Sequence, residues 1–276
     1  MSWVAIRAIV RKDLSTVVRN RGVRIPLLVT PIIVLVVLPV ILVGGADILA
    51  SSADQVPAGG EAAFQGLEEE ATSGGSVGEG LTVQGQWAVF VLETFLAPLY
   101  LLVPLIVATV IAADSFAGER ERGTLEALLH TPTTDRELLA AKFLASWLPA
   151  VVVSTVGFIV YAVLANVLAW SELGRVFFPN GTWVLLAVFM APGLAALGLG
   201  VMVIASSRVS SLQAAHQVGS LVVLPILVLL VAQIAGLLRF GPGLVATMGA
   251  AVWLLALLLL SVGARSLRRQ RLAQRI

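Results

Sequence analysis

Between residues 114 and 144 the chain reads DSFAGERERGTLEALLHTPTTDRELLAAKFL, and this stretch alone carries ten Asp, Glu, Lys and Arg residues. Among these, acids placed at the first turn of a helix suit its capping and its dipole. Catalytic arrangements are missing. The apolar runs contain no H-E-x-x-H, no G-x-S-x-G and no paired carboxylates. With no cysteine there is no thiol nucleophile, disulfide or cysteine metal site, and His130 and His216, the only histidines, are too few for a metal centre. Catalytic and metal-binding residues are therefore expected to be absent. A G-x-x-x-x-G-K-[ST] phosphate loop is also lacking, so the chain does not bind ATP in that manner.

The elements that must position these charges are short helices. Gly118 and Gly123 bracket Glu119, Arg120, Glu121 and Arg122 and allow the chain to turn. Leu125, Leu128 and Leu129 follow at i, i+3, i+4 spacing, which predicts a helix of about two turns that Pro132 ends. Thr134-Asp135-Arg136-Glu137 fits a capping box that opens the next helix. Two turns of helix are unstable alone in water, so the leucine stripe must bury against something. Either it folds back on this protein or it docks on a separate partner.

Around this segment the chain is apolar. Of its 276 residues 58% are hydrophobic and 12% charged, with a mean hydropathy of +0.98. A soluble domain averages about 45–50% apolar and about 25% charged, so the fold class is an all-α integral membrane protein. Six spans are predicted, over residues 26–44, 87–113, 143–169, 183–205, 218–238 and 244–264. Arg7, Arg11, Lys12, Arg19, Arg21 and Arg24 precede the first, against the single acid Asp13. Arg265, Arg268, Arg269, Arg271 and Arg275 follow the last. The connection between the first two spans holds seven acids and no Lys or Arg. Because Lys and Arg are retained on the cytoplasmic side, both termini are expected inside a cell membrane, of prokaryotic inner or plasma type, and the acidic loop outside.

Residues 1–24 read as a basic amphipathic helix on the inner membrane surface, since Trp3, Ile6, Val10, Leu14, Val17 and Val18 recur at helical spacing. The chain is then expected to turn in near Gly22 and Pro26. The outer loop 46–86 is rich in Gly, Ala, Ser and Glu and reads as a mobile flap. Glu93 is the one acid within a span, facing either a cavity or the interface beside Trp87. Pro98, Pro104 and Pro225 either shape a translocation path or adjust packing. Gly193, Gly198 and Gly200 would permit close helix approach in the fourth span.

Glu119-Arg120-Glu121-Arg122-Gly123-Thr124-Leu125-Glu126-Ala127-Leu128-Leu129, then Thr131-Pro132, Glu137-Leu138-Leu139 and Lys142, resembles the signature E-x-E-R-G-T-L-E-x-L-L-x-T-P-x-x-x-x-E-(I/L)-L-x-x-K. It is that of type-2 ABC exporter permeases, which move sodium, drugs, lipids or antibiotic peptides. Ala141 stands where that signature usually has glycine. The resemblance implies a single transmembrane domain over 1–276 whose segment 114–142 is a cytoplasmic coupling segment. It further implies two copies of a separate ATPase, which bind the ATP and magnesium, and a second permease, either this chain again or a paralogue. On that basis Glu119, Arg120, Glu121, Arg122, Gly123, Thr124, Leu125, Glu126, Leu128 and Leu129 would meet the ATPase. The path would run between permeases near Glu93, Pro98, Pro104 and Pro225. Membrane lipid is an expected partner and nucleic acid is not. The competing class is a secondary transporter or channel without an ATPase, which would normally need polar or ionisable clusters at mid-membrane.

Overall fold

The computed structural model describes residues 3–45, 81–122, 134–206, 208–209, 211–238 and 240–266, and every regular element among them is helical. The expected two-turn leucine helix lies in 123–133 and most of the acidic loop in 46–80, both outside the described residues. The first helix, α1 (Trp3–Arg19), stops where Asn20 takes extended geometry at φ −79°, ψ 113°. The Asn20 side chain accepts from the Gly22 amide at 3.0 Å and so caps α2 (Arg21–Gly44). The turn expected near Gly22 and Pro26 thus falls at Asn20. Pro26 and Pro31 lie inside α2, followed by a wide π-helical stretch, Ile33–Val37.

Among the described residues five further long helices follow, α3 (Gln84–Gly118), α4 (Asp135–Leu168), α5 (Gly181–Ser206), α6 (Leu212–Ile234) and α7 (Pro242–Ser266), with short turns of helix at Glu119–Glu121 and Trp170–Leu173. Helices α2 to α7 supply six segments long and apolar enough to cross a bilayer, in agreement with the predicted number. Their caps come from the sequence. Thr134 and Glu137 form the expected capping box of α4, with Glu137 N–H donating to Thr134 Oγ1 at 3.3 Å and Thr134 N–H to Glu137 Oε2 at 3.0 Å. Asn180 accepts from Trp183 N–H to open α5, and Ser211 from Ala214 N–H to open α6.

In α3, 78% of the apolar window is buried and in α5 61%, against 11–17% in the other four spans. These two helices form the centre, and α2, α4, α6 and α7 coat it. Exposed Ile32, Ile159, Val163 and Leu257 on the coat suit contact with lipid. At the core, Tyr161 stacks on Trp183 at 5.0 Å between ring centroids, and Phe178 meets Trp183 edge-on at 4.9 Å.

Buried Pro98 cannot donate to the carbonyl four residues back, and α3 widens into a π-helical stretch at Phe90–Phe95. Three consecutive carbonyls of that stretch are taken up by side chains from three other helices. Tyr161 of α4 donates to Leu92 O at 2.5 Å, Trp183 of α5 to Glu93 O at 2.8 Å, and Gln233 of α6 to Thr94 O at 2.6 Å. In lipid an opened backbone group must be satisfied within the protein, and here it also fixes where α4, α5 and α6 stand.

The expected close approach at the fourth span is observed. A Cβ on Gly198 would lie 3.3 Å from Leu105 O of α3, and one on Gly200 would lie 2.9 Å from Leu259 Cβ of α7. The Gly200 contact has no flexible atom to yield. Gly200→Val is expected to cost about 1–3 kcal/mol and lower the melting temperature of the purified protein by several degrees; an unchanged melting temperature would contradict the α5–α7 packing.

Candidate functional site

Charged side chains converge where α1, α3 and α4 meet, beside residues 123–133. The buried side of α1 carries Ile6, Ile9, Asp13 and Val17, and Ile6 and Ile9 pack on Leu138 and Ala141 of α4. Of the stripe predicted for α1, Val10 and Leu14 are half-buried and Trp3 and Val18 exposed. One face of this helix is thus bound to the protein, with Asp13 within it.

Lys142, on the second turn of α4, is 1% exposed. Its ammonium donates to Glu119 Oε2 at 2.5 Å and to Ser115 O at 2.7 Å. It also stands 3.9 Å from Asp13 Oδ2 and 5.4 Å from the centre of the Phe116 ring. The other Glu119 oxygen accepts from Lys12 at 2.6 Å, and Lys12 lies 3.4 Å from Asp13 Oδ1. Two cations and two anions from three elements form one neutral cluster. Its members are nearly enclosed except for Lys12, which is half-exposed.

A second group adjoins it. The end of α3 winds as a π-helical stretch, Asp114–Gly118, and the Arg122 guanidinium folds back onto Asp114 Oδ1 at 3.2 Å. Asn20 donates to the same oxygen at 3.1 Å. A Cβ on Gly118 would lie 3.0 Å from Asp114 Oδ1 and 3.1 Å from Arg122 Nη2, so glycine is what admits this pair. Glu121 reaches sideways and accepts from the Leu212 amide at 2.7 Å, holding the first turn of α6.

Burial alone would push the Glu119 carboxyl up, but Lys142 and Lys12 outweigh it and hold Glu119 below the ordinary carboxylate value. Burial would push Lys12 down, and its bond and charge contact with Glu119, aided by Asp13, leave it raised. Asp13 is raised, because burial and the neighbouring Glu119 exceed the pull of Lys142 and Lys12.

Of the residues picked out in the sequence, Glu119, Glu121 and Arg122 are bonded within the protein, to Lys142 and Lys12, to α6 and to Asp114. Arg120 belongs to a short helical turn, Glu119–Glu121, and Gly123, Thr124, Leu125, Glu126, Leu128 and Leu129 lie outside the described residues. Pro98 and Pro104 are buried inside the bundle, whereas Pro225 is exposed near the start of the second half of α6. Glu93 sits half-buried in the π-helical stretch of α3, where the Asn180 side chain bonds its carboxylate. Among the described residues no cation pairs with it, and the Trp87 indole donates to Leu42 O at 3.0 Å. The sequence reading missed Lys12, Asp13, Asn20 and Asp114 as site residues, and quoted Lys142 for the resemblance without giving it a role. The signal for Asp13 was present, because it falls on the buried side of α1 between Ile9 and Val17.

The chain belongs to the family described as ABC-2 family transporter protein, whose family model matches residues 7–268. No curated protein matches it. It is thus a multi-pass permease of an ABC transporter, and that family implies an ATPase partner and assembly into an oligomer.

The cluster sets the pH response. The Glu119 contribution is complete above its ordinary value of 4.5 and is lost as the pH falls through its lower folded value. That of Lys12 is complete below 10.5 and is lost as the pH rises through its higher folded value. Asp13 runs the other way, since its raised value favours the neutral acid in the fold and offsets part of the acid loss. Thermal stability is expected to plateau between about pH 5 and about pH 10 and to fall on either side. Glu119→Gln should flatten the acid limb; an acid limb as steep as that of the parent protein would contradict the assignment.

Proposed function

We propose that the chain is the permease of an ATP-driven exporter in which the cluster of Lys12, Asp13, Glu119 and Lys142 transmits ATPase movement to the membrane spans. The observation that carries this reading is the Lys142–Glu119 pair. It joins the short helical turn Glu119–Glu121, which follows α3, to the second turn of α4 on either side of residues 123–133. A force on that segment, from an ATPase seated on the Leu125, Leu128 and Leu129 stripe, would move α3 and α4 as one lever. The bonds of Lys12 and of Asn20 would carry α1 with them. Two ATPases, which bind ATP and magnesium, would serve two permease chains, with both termini and the coupling segment 114–142 in the cytoplasm and residues 46–86 outside.

The exposed face of α6 suits the wall of a path between two copies. Gln213, His216, Gln217 and Ser220 line it over the first turns, followed by Leu224, Leu227, Val228 and Val231. Gln217 and Ser220 lie about 8–12 Å inside the start of the helix, at 1.5 Å per residue, a depth at which lipid tails offer no hydrogen bonds. A face that is polar and then apolar suits an amphipathic cargo, such as a lipid, drug or peptide, better than a bare ion. Pro98 and Pro104 would act on the path indirectly by shaping α3, and Glu93 from its outer end. Lipid also borders the interfacial side of α1, where Trp3 and Val18 are exposed beside Arg7 and Arg11.

In vesicles containing the chain and its ATPase, Lys142→Met is expected to leave ATP hydrolysis within about twofold while cutting export at least tenfold, a loss of 1.4 kcal/mol or more in coupling. Export at the parent rate would overturn the coupling role. Export driven by an ion gradient without any ATPase would favour a secondary transporter instead.

A further inference from the structure

We propose that a groove along the half of α4 farthest from the termini binds one phospholipid, with an acyl chain in the groove and the phosphate at Arg175. This inference stands apart from the coupling role, because it uses none of the same residues. The groove is open along one side, has a volume of about 790 Å³ and is lined by Phe158, Ile159, Val163, Val167, Trp170 and Val176, with Pro179 at its end. That volume falls within the range of about 300–1,000 Å³ typical of small-molecule sites.

Three observations point to lipid. The first is length. From Phe158 to Val167 the helix rises by about 14 Å, close to half of the roughly 30 Å hydrocarbon thickness. The groove therefore runs from the bilayer middle to the boundary of one leaflet, the depth of a single acyl layer. Trp170, 55% exposed, stands at that boundary, where tryptophan is favoured.

The second is polarity. Asn166 is the polar residue of the lining, and its amide has no capacity left over. Its nitrogen donates to Ala162 O at 2.7 Å and Phe178 O at 2.6 Å, and its oxygen accepts from Phe177 N–H at 3.0 Å and Phe178 N–H at 3.3 Å. These bonds hold the 177–178 strap against α4 and leave walls that suit a saturated chain. The third is charge. Beyond the mouth the chain turns at Gly174, with φ 60°, and presents Arg175 next to the lining residue Val176. Arg175 is exposed and has no ion-pair partner among the described residues. A guanidinium at the level of the headgroups, within a side chain's reach of the mouth, complements a phosphate.

Full-length protein would be reconstituted with phosphatidylglycerol, stripped in detergent and weighed by native mass spectrometry. The parent chain is expected to retain one lipid per copy and to prefer phosphatidylglycerol over diacylglycerol. Val163→Trp, which fills the groove from a position already 62% exposed, should reduce retention at least tenfold. Val152→Trp, exposed on the same helix outside the groove, should not. Arg175→Gln should keep a lipid but lose the preference. Equal retention in Val163→Trp and Val152→Trp would overturn the site, and an unchanged preference in Arg175→Gln would overturn the phosphate contact. Because the chain has no cysteine, Val163→Cys also tests the rival occupant. Efficient disulfide formation between copies in the same bilayer would make the groove a protein interface and overturn the proposal.

Discussion

A lysine ammonium withdrawn from water beside the ends of two membrane spans has to be compensated where it stands. Lys142 is 1% exposed, and at that burial an unpaired charge is several kcal/mol unfavourable. Its compensation comes from separate elements: the Glu119 carboxylate and the Ser115 carbonyl from the end of α3, and Asp13 from α1. Glu119 in turn needs more than Lys142, and takes Lys12 of α1. Removing one member strands its partner, which for buried pairs costs about 3–5 kcal/mol, so the cluster behaves as a single joint. Such a joint adds little net stability compared with apolar packing. It does fix one relative arrangement of α1, α3 and α4, which is what a transmission element requires.

Satisfaction of buried polar groups recurs higher in the bundle, with backbone in place of side-chain charge. Prolines and π-helical stretches open carbonyls in α3 and α5. Indole and amide groups from neighbours close several of them: Trp183 on Glu93 O, Gln233 on Thr94 O, Trp253 on Phe189 O and Trp147 on Pro192 O. Each bond reaches from one helix to another, so a local irregularity becomes a tertiary contact. Movement of α3 at its charged end would be felt by α4, α5 and α6 through these same contacts.

Much of this architecture was legible in the sequence, because membrane spans are a length and composition signal that tertiary context cannot override. The Thr134–Glu137 box was legible for a similar reason, being set by four adjacent residues. The partners of the charges were not. Nothing local says that Glu119 will meet Lys142, 23 positions on, or Lys12, 107 positions back. Read along the chain, Glu119, Glu121 and Arg122 resembled an outward docking surface. In the folded chain each has a partner on another turn or another helix, because charge near apolar packing is stabilised by pairing. Asn20 was passed over for Gly22 and Pro26, the residues usually taken as turn signals, although a capping side chain defines the break.

The most direct measurement is a spin-label distance across the joint, which a cysteine-free chain permits without background labels. Labels at Arg11→Cys on α1 and Ala140→Cys on α4 would be read in the assembled transporter, at rest and with the ATPase trapped in its ATP-bound state. If the cluster makes α1 and α4 one body, the distance distribution stays narrow and unchanged between the two states, and it broadens when Glu119→Gln is added. A distance that shifts between the states in the otherwise unaltered chain, or one indifferent to Glu119→Gln, would contradict the account.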